Sequence, residues 1–256
     1  MSRAGGVVSK LSRIENGDRT ISEADLLELL TIYGVVPGSE RWNRLIALAA
    51  SATVKDWWGQ YADQVEPEFT EWLGLEDVAT RMSTFQAALV PTLLQTPDYA
   101  RAVEQARRPY RSPREIDTAV SINRQRQDVL TRAEHPAELE AILDESALRR
   151  EVGGRHVTTE QLSQLLILGQ APNVTLRVLP FSAGAWRCPA SSFVQFTLTD
   201  TADAPTDVVG VAHPAGYLYV DDSDEVTRFS EAYEDARDKA LDPDASAQFI
   251  EQLARA

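Results

Sequence analysis

The sequence predicts an α+β protein, in which a partly helical N-terminal region precedes a mixed α+β domain with a mainly antiparallel sheet. Four short apolar or alternating segments in the second half are typical of strands: VTLRVLP, SSFVQFTL, DVVGVA and GYLYV. Helix-start patterns stand on both sides of them, with Thr96 before Pro97 and Asp242 before Pro243. The N-terminal region has the apolar spacing of short helices. We therefore divide the chain into residues 1–38, a connecting helix at residues 39–62, and a domain at residues 63–256.

The N-terminal region begins with a helix that has one apolar and one polar face. Val7, Leu11 and Ile14 fall at i, i+4 and i+7, which forms an apolar stripe. The polar residues at helical spacing on a different face are Ser9, Ser12, Arg13 and Asn16. Their hydroxyl, guanidinium and amide groups suit phosphates and base edges. An ordinary amphipathic helix pair fits the same periodicity.

A second helix is predicted from about Ser22, with Asp25 as a weak capping-box partner. Gly34 and Pro37 end it, because glycine allows a left-handed C-terminal turn and proline cannot continue a helix. Residues 40–62 also have helical spacing, and Trp57-Trp58 is interpreted as a packing anchor.

In the C-terminal domain, residues 85–94 fit either a strand or a helix. The segment from Thr96 predicts a capped helix, residues 113–132 a charged helix, and LEAILDESAL a strand at its start. Thr158 and Gln161 predict a capping box at the next helix. Two helices are expected to close the chain, at residues 224–241 and from Pro243.

Charge is unevenly distributed along a chain of 256 residues with net charge −14. The overall sign opposes generic nucleic-acid binding, yet residues 1–20 carry four basic and two acidic side chains. Residues 101–114 carry five arginines against Glu104, and residues 199–256 carry fourteen acids against four bases. A basic, DNA-contacting terminus on an acidic domain fits this distribution, and so does a plain acidic protein.

Cys188 is the single cysteine, so no disulfide can form within the chain and a reducing cytoplasm is expected. The N-terminus lacks the apolar run of a signal peptide. Apolar stretches stay well short of a membrane span, so no membrane partner is predicted.

Catalytic and cofactor motifs are weak or lacking in the sequence. The three histidines, His135, His156 and His213, have no metal-ligand spacing, and no glycine-rich phosphate loop occurs, so neither a metal nor a cofactor is predicted. Cys188 beside Arg187 fits either a reactive thiolate or an inert cysteine. Arg124 and Arg126 fit either anion binding or pairing with Asp128 or solvent.

The run SKLSRIENGDRT, followed by ISEADLLELLTIYGV, resembles the recognition helix and the following helix of Xre-type helix-turn-helix regulators. The resemblance implies DNA contacts in the groove and at phosphates from Ser9, Lys10, Ser12 and Arg13. It places Asn16 and Arg19 near the DNA backbone. The family has two further helices before this one, whereas MSRAGGVV stands here, so the sequence predicts a partial helix-turn-helix. A coding region that starts upstream of Met1 and a decayed unit both explain this.

Six motifs of the C-terminal domain, in order, resemble the uncharacterised domain that follows the helix-turn-helix in an actinobacterial, antitoxin-like regulator family. They are LVPTLLQTPDYARAV, NRQRQDVLTR, LDESALRREVGG, QLSQLLILG, VTLRVLPFSAGA and SFVQFTL. The resemblance implies a small partner protein encoded nearby. The chain departs from the family pattern at Pro91-Thr92, at Gly184-Ala185-Trp186 and at VVGVAHPAG.

We therefore predict a transcriptional regulator that binds DNA as a homodimer, with a C-terminal domain that binds a partner protein or a small-molecule effector. Aromatic residues cluster in the strand region, so a ligand or partner surface is predicted at Trp186, Cys188, His213 and Tyr217. A ligand should touch Trp186 and His213 together. A binding module that no longer contacts DNA, and an enzyme derived from a regulator, remain the alternatives.

Overall fold

The computed structural model describes residues 23–39, 42, 57–61, 64–108, 111–187, 191–198 and 206–255. The predicted DNA-contacting residues Ser9 to Arg19, and Cys188, lie outside the described residues. The chain divides into two compact units after Gly59, and the second unit comprises residues 60–199 and 205–256. This second unit, called here the C-terminal unit, carries the whole described sheet.

Helix α1, Glu23–Ile32, confirms the second helix predicted in the N-terminal region, and the first lies outside the described residues. Gly34 lies in the turn that follows it and has a φ of 71°, the left-handed conformation that glycine adopts without strain. Val35 N–H donates to the Leu30 carbonyl and Gly34 N–H to the Thr31 carbonyl, which is the Schellman pattern. Of the predicted connecting helix, Trp57–Tyr61 forms a 3-10 turn in which Trp58 is buried.

Six described strands of the C-terminal unit form one sheet in the order β3-β2-β1-β4-β5-β6. The strands are β1 Arg81–Gln86, β2 Glu138–Asp144, β3 Val174–Leu179, β4 Phe193–Leu198, β5 Thr206–His213 and β6 Gly216–Val220. The pairs β1–β2 and β2–β3 are parallel, and β1–β4, β4–β5 and β5–β6 are antiparallel. The α+β class is confirmed, but the sheet is mixed and the prediction of a mainly antiparallel sheet was wrong.

The parallel half exists because helices connect its strands. A parallel neighbour requires a crossover of a dozen or more residues, and helical segments fill the chain from β1 to β2 and from β2 to β3. Strand β1 was not predicted as a strand. Only its last two residues, Phe85 and Gln86, fall in the segment 85–94, which fitted either a strand or a helix. Its residues Met82, Thr84 and Phe85 are all buried, on both faces, so the strand lacks the alternation that marks a half-exposed strand.

The helices of the C-terminal unit mostly begin where capping residues predict. They are α2 Pro67–Val78, α3 Pro97–Arg107, α4 Pro113–Arg126, α5 Asp128–Thr131, α6 Glu145–Arg149, α7 Arg155–Leu168, α8 Ser223–Lys239 and α9 Pro243–Arg255. Thr96 accepts a hydrogen bond from Tyr99 N–H, and Asp242 accepts one from Ala245 N–H, as predicted. The predicted helix at residues 113–132 is interrupted at Gln127.

The predicted capping box at Thr158 and Gln161 was wrong. Helix α7 begins earlier, at Arg155, and Gly154 precedes it. Thr158 Oγ1 accepts from Val152 N–H, and the side chain of Gln161 is buried inside the unit. A sequence pattern of two polar residues three apart does not distinguish a cap from an interior hydrogen-bonding residue.

The sheet has an apolar core on each face. Met82 and Phe85 are three residues apart on β1, so they point to opposite faces. Met82 belongs to a cluster with Trp72, Phe196 and helices α7 and α9. Phe85 belongs to a second cluster, in which α8 contributes Tyr233. The α2 face and the α8 face are named here by these helices.

Candidate functional site

A groove lies on the α2 face, bounded by α2, α3, α4 and the β5–β6 hairpin. Its narrower part has a volume of about 460 Å³ and its wider part about 1220 Å³. The two parts share Trp72, Arg107, Arg126 and Tyr217 as wall residues. Ligand pockets usually measure about 300–1,000 Å³, so each part is of the order of a small-molecule site. We call this feature the arginine groove.

Helical spacing places the wall residues of α3 and α4. Val103 and Arg107 are four residues apart on α3, and Ile122 and Arg126 are four apart on α4, so each pair shares a helix face. The N-terminus of helix α4 is stabilised by a complete capping box, which Ser112 and Glu115 form on either side of Pro113.

Arg126 is the fixed centre of the groove wall. Its Nε donates to Glu76 Oε2 at 2.7 Å and its Nη2 donates to Glu76 Oε1 at 2.6 Å. Trp72 Nε1 donates to the same Oε1 at 2.8 Å, and the guanidinium lies 5.3 Å from the ring centre of Phe69. Burial acts to lower the pKa of Arg126, but charge attraction to Glu76 and hydrogen bonding with it, together with smaller contributions from Tyr217 and Glu104, outweigh burial and raise that pKa. The guanidinium is therefore charged, paired and held in one orientation.

Three further arginines line the narrower part, and they are bound less tightly. Arg111 Nη1 donates to Glu104 Oε2 at 3.0 Å, and Arg108 Nη2 to Glu66 Oε1 at 2.5 Å. Arg107 Nη1 lies 3.8 Å from Glu104 Oε1, which is beyond hydrogen-bond length. The side chain of Arg107 is 53% exposed, so it can turn toward a bound group.

Aromatic rings form another part of the groove wall. Phe69 and Tyr217 are stacked, with ring centres 5.5 Å apart, and Trp72 lies 5.5 Å from Tyr217. Burial raises the pKa of the Tyr217 hydroxyl, although the Arg126 guanidinium acts against this shift. The hydroxyl is therefore neutral at physiological pH and can both donate and accept a hydrogen bond.

The predicted surface residues do not come together on one face. Trp186 is buried on the α8 face, where its ring centre lies 4.2 Å from that of Phe85. Tyr217 is partly buried and packs against the core of the α2 face. His213 and Tyr217 both line the wider part of the arginine groove. Cys188 lies outside the described residues.

The sequence interpretation missed most of the groove. The only feature of the sequence that indicated the groove was the run of five arginines at residues 101–114. Of these, Arg107, Arg108 and Arg111 line the narrower part. Arg126 was considered for anion binding, but its partner is Glu76 of α2 and not Asp128. Glu76 is fifty positions away in sequence, so no local pattern links the two residues.

Within the described ranges, no group of three or more His, Cys, Asp or Glu side chains could hold a metal ion. The described helices also include none with the length and apolar character needed to cross a membrane.

Residues 69–252 match the model of a protein family that is described as a domain of unknown function, DUF5753. The match includes all six described strands and most of the groove wall. No curated protein matches the chain.

Proposed function

The chain belongs to the DUF5753 family, and we propose that it is a DNA-binding transcriptional regulator of the antitoxin-like kind. In this proposal the N-terminal region binds DNA as part of a homodimer. The C-terminal unit binds a small-molecule effector or a small partner protein, and occupancy of that unit alters DNA binding.

The arginine groove carries the effector half of this proposal. A concave site with an apolar wall and a few fixed polar groups is the usual form of a small-molecule site. Here Trp72 and Tyr217 supply the apolar wall and Arg126 supplies the fixed polar group. The volume favours a small molecule over a folded partner protein, which would need a large exposed surface.

The acidic side chains of the narrower part support binding and not catalysis. Glu66 and Glu104 accept from arginines, and Glu115 accepts from the backbone N–H and the hydroxyl of Ser112. A general base must present a free lone pair within reach of a substrate proton. Each of these carboxylates is positioned by an arginine or by a helix cap, which fits a structural role better than that of a general base.

The DNA-binding half rests on the sequence run from Ser9 to Arg19. The test is selection of binding sites by the full chain from a random duplex library, followed by affinity measurement on the selected duplex. Arg13→Ala should weaken specific binding by about 1–3 kcal/mol, because it removes a groove or phosphate contact. Arg255→Ala removes an equal charge from a surface ion pair at the other end of the chain and should leave affinity unchanged.

Enrichment of one sequence, followed by a selective loss in Arg13→Ala, would support the proposal. If no sequence is enriched at physiological salt, or if both variants lose affinity equally, the DNA-binding half of the proposal is wrong.

A further inference from the structure

The junction of the two parts of the arginine groove has more hydrogen-bond donors than acceptors. A guanidinium carries five N–H groups. Three of those on Arg126 donate to Glu76 and Asn123, the last at 3.3 Å. Among the described residues, the other two have no acceptor. Arg107 adds a second guanidinium whose nearest carboxylate oxygen is 3.8 Å away. Two guanidinium groups that can donate further hydrogen bonds therefore line the junction.

The carboxylates of the wall already accept hydrogen bonds from other donors. Glu76 already accepts two hydrogen bonds from Arg126 and one from Trp72. Glu104 accepts from Arg111, and Glu115 is held in its capping box. The groups that would complement the surplus donors are anionic oxygens, which form the shortest and strongest hydrogen bonds with guanidinium.

Apolar surface continues from the junction into the wider part of the groove. Exposed or half-exposed apolar side chains line it there: Ala88, Leu89, Val194, Ala212 and Pro214. A molecule that placed only a small anion at the junction would leave this apolar wall in contact with water. A molecule with an apolar body would cover it, which is favourable because apolar area is removed from water.

We propose that the arginine groove binds a small amphipathic molecule, with an anionic head group at Arg107 and Arg126 and an apolar body along the wider part. The proposal rests on the proposed function, because it names the chemical class of the effector. The buried pair with Glu76 prepares the site: Arg126 is already oriented, so the head group is bound without ordering that side chain. Arg107, which is half exposed, closes onto the head group.

The test uses the full chain and two fluorescent probes with one ring system. The first is 8-anilinonaphthalene-1-sulfonate, which is anionic, and the second is N-phenyl-1-naphthylamine, which lacks the sulfonate. Arg107→Gln should raise the Kd of the anionic probe about tenfold, as expected for loss of a charge-assisted hydrogen bond. It should change the Kd of the neutral probe by less than about twofold, since the apolar wall is unchanged.

Two further variants locate the site. Arg101→Gln is the matched control, because Arg101 is on the same helix but pairs with Asp117 and does not line the groove. It should leave both probes unaffected. Ala119→Phe fills the narrower part and should weaken the anionic probe. Arg126 is not substituted, because its loss would leave Glu76 buried without a counter-charge.

Selective weakening of the anionic probe by Arg107→Gln, together with weakening by Ala119→Phe, supports the proposal. Equal effects of Arg107→Gln on both probes, or no effect of Ala119→Phe, would overturn it. Competition by decanoate and by decyl phosphate then distinguishes a carboxylate head from a phosphate head. If the probe experiment fails but the duplex selection succeeds, the DNA-binding proposal stands. If the duplex selection fails but the probe experiment succeeds, the groove proposal stands.

Discussion

Arg126 and Glu76 form a bidentate ion pair that joins α4 to α2 beneath the arginine groove. Both side chains are almost fully buried, with relative exposures of 8% and 4%. Trp72 donates to the same carboxylate, so three groups from two helices converge on Glu76. A buried ion pair contributes little net stability compared with an apolar pair, but it fixes geometry and is costly to break. Its consequence here is a rigid groove wall.

The first prediction concerns this pair. Glu76→Gln should lower the free energy of unfolding by about 3 kcal/mol, because Arg126 would remain buried without a counter-charge. Urea denaturation of both proteins measures the difference. The control is Arg255→Gln, which breaks the exposed pair with Glu251 and should cost less than about 1 kcal/mol. A loss in Glu76→Gln no larger than in the control would mean that water reaches the pair.

The second prediction concerns the packing of Trp72 on β5. A Cβ at Gly210 would lie 2.6 Å from Cζ3 of Trp72 and 3.0 Å from Cε2 of Phe196. Gly210→Ala should therefore lower the free energy of unfolding by about 1–3 kcal/mol, as overpacking does. Gly59→Ala is the control, because its new Cβ would meet no atom within 4 Å. An unchanged urea midpoint in Gly210→Ala would show that the indole moves aside freely.

Local patterns predicted the elements well, and the long-range pairs poorly. The caps at Thr96 and Asp242 depend on residues within one helical turn, so the sequence indicates them directly. The parallel pairing of β1 with β2 joins residues 57 positions apart, such as Arg81 with Glu138. Single-sequence periodicity contains no information about which strand lies beside which.

The same distinction explains the candidate site. The arginine run of α3 is visible as composition, but its role depends on α4 and α2, which supply Arg126 and Trp72. Trp186 was chosen because aromatic residues in turns often line sites. Its burial against Phe85 arises because the turn folds back onto the α8 face. A single sequence does not tell which aromatic residues are buried in the core and which line a cavity.

The third prediction concerns Gln161, which joins α7 to the segment before α3. Its Nε2 donates to the Leu94 carbonyl and its Oε1 accepts from Thr96 N–H, both at 2.7 Å. Gln161→Leu would leave two backbone groups unsatisfied and should cost about 3 kcal/mol of unfolding free energy. Gln164→Leu, on the same helix but half-buried, should cost less than about 1 kcal/mol. Similar costs in both variants would contradict an interior role for Gln161.

The fourth prediction is a pH dependence that arises from Glu145. Burial acts to raise the pKa of this carboxyl, but hydrogen bonds from Phe181 N–H and Arg149 outweigh it and lower that pKa. A carboxylate with a lowered pKa stabilises the folded state above its usual value of 4.5, and this stabilisation is lost as the pH falls through the folded value. The wild type should therefore exceed Glu145→Gln in unfolding free energy by about 2 kcal/mol at pH 7.

That difference should shrink as the pH is lowered below 4.5. Urea denaturation of both proteins at several pH values measures it, and Glu151→Gln, at an exposed position, serves as the control. A difference that stays constant down to about pH 3 would contradict the assigned pKa direction.

The fifth prediction separates a core role of Trp186 from a ligand-contacting role. The side chain is 9% exposed and packs with Phe85, Leu179 and Phe193 on the α8 face. Trp186→Ala should lower the unfolding free energy by about 3–5 kcal/mol, because it leaves a large cavity. Trp186→Phe keeps an aromatic ring in place and should cost about 1–2 kcal/mol. Since the arginine groove lies on the opposite face, Trp186→Phe should leave the Kd of both naphthalene probes unchanged. A Trp186→Ala protein that keeps its urea midpoint but loses probe binding would instead assign the indole to the ligand surface that the sequence predicted.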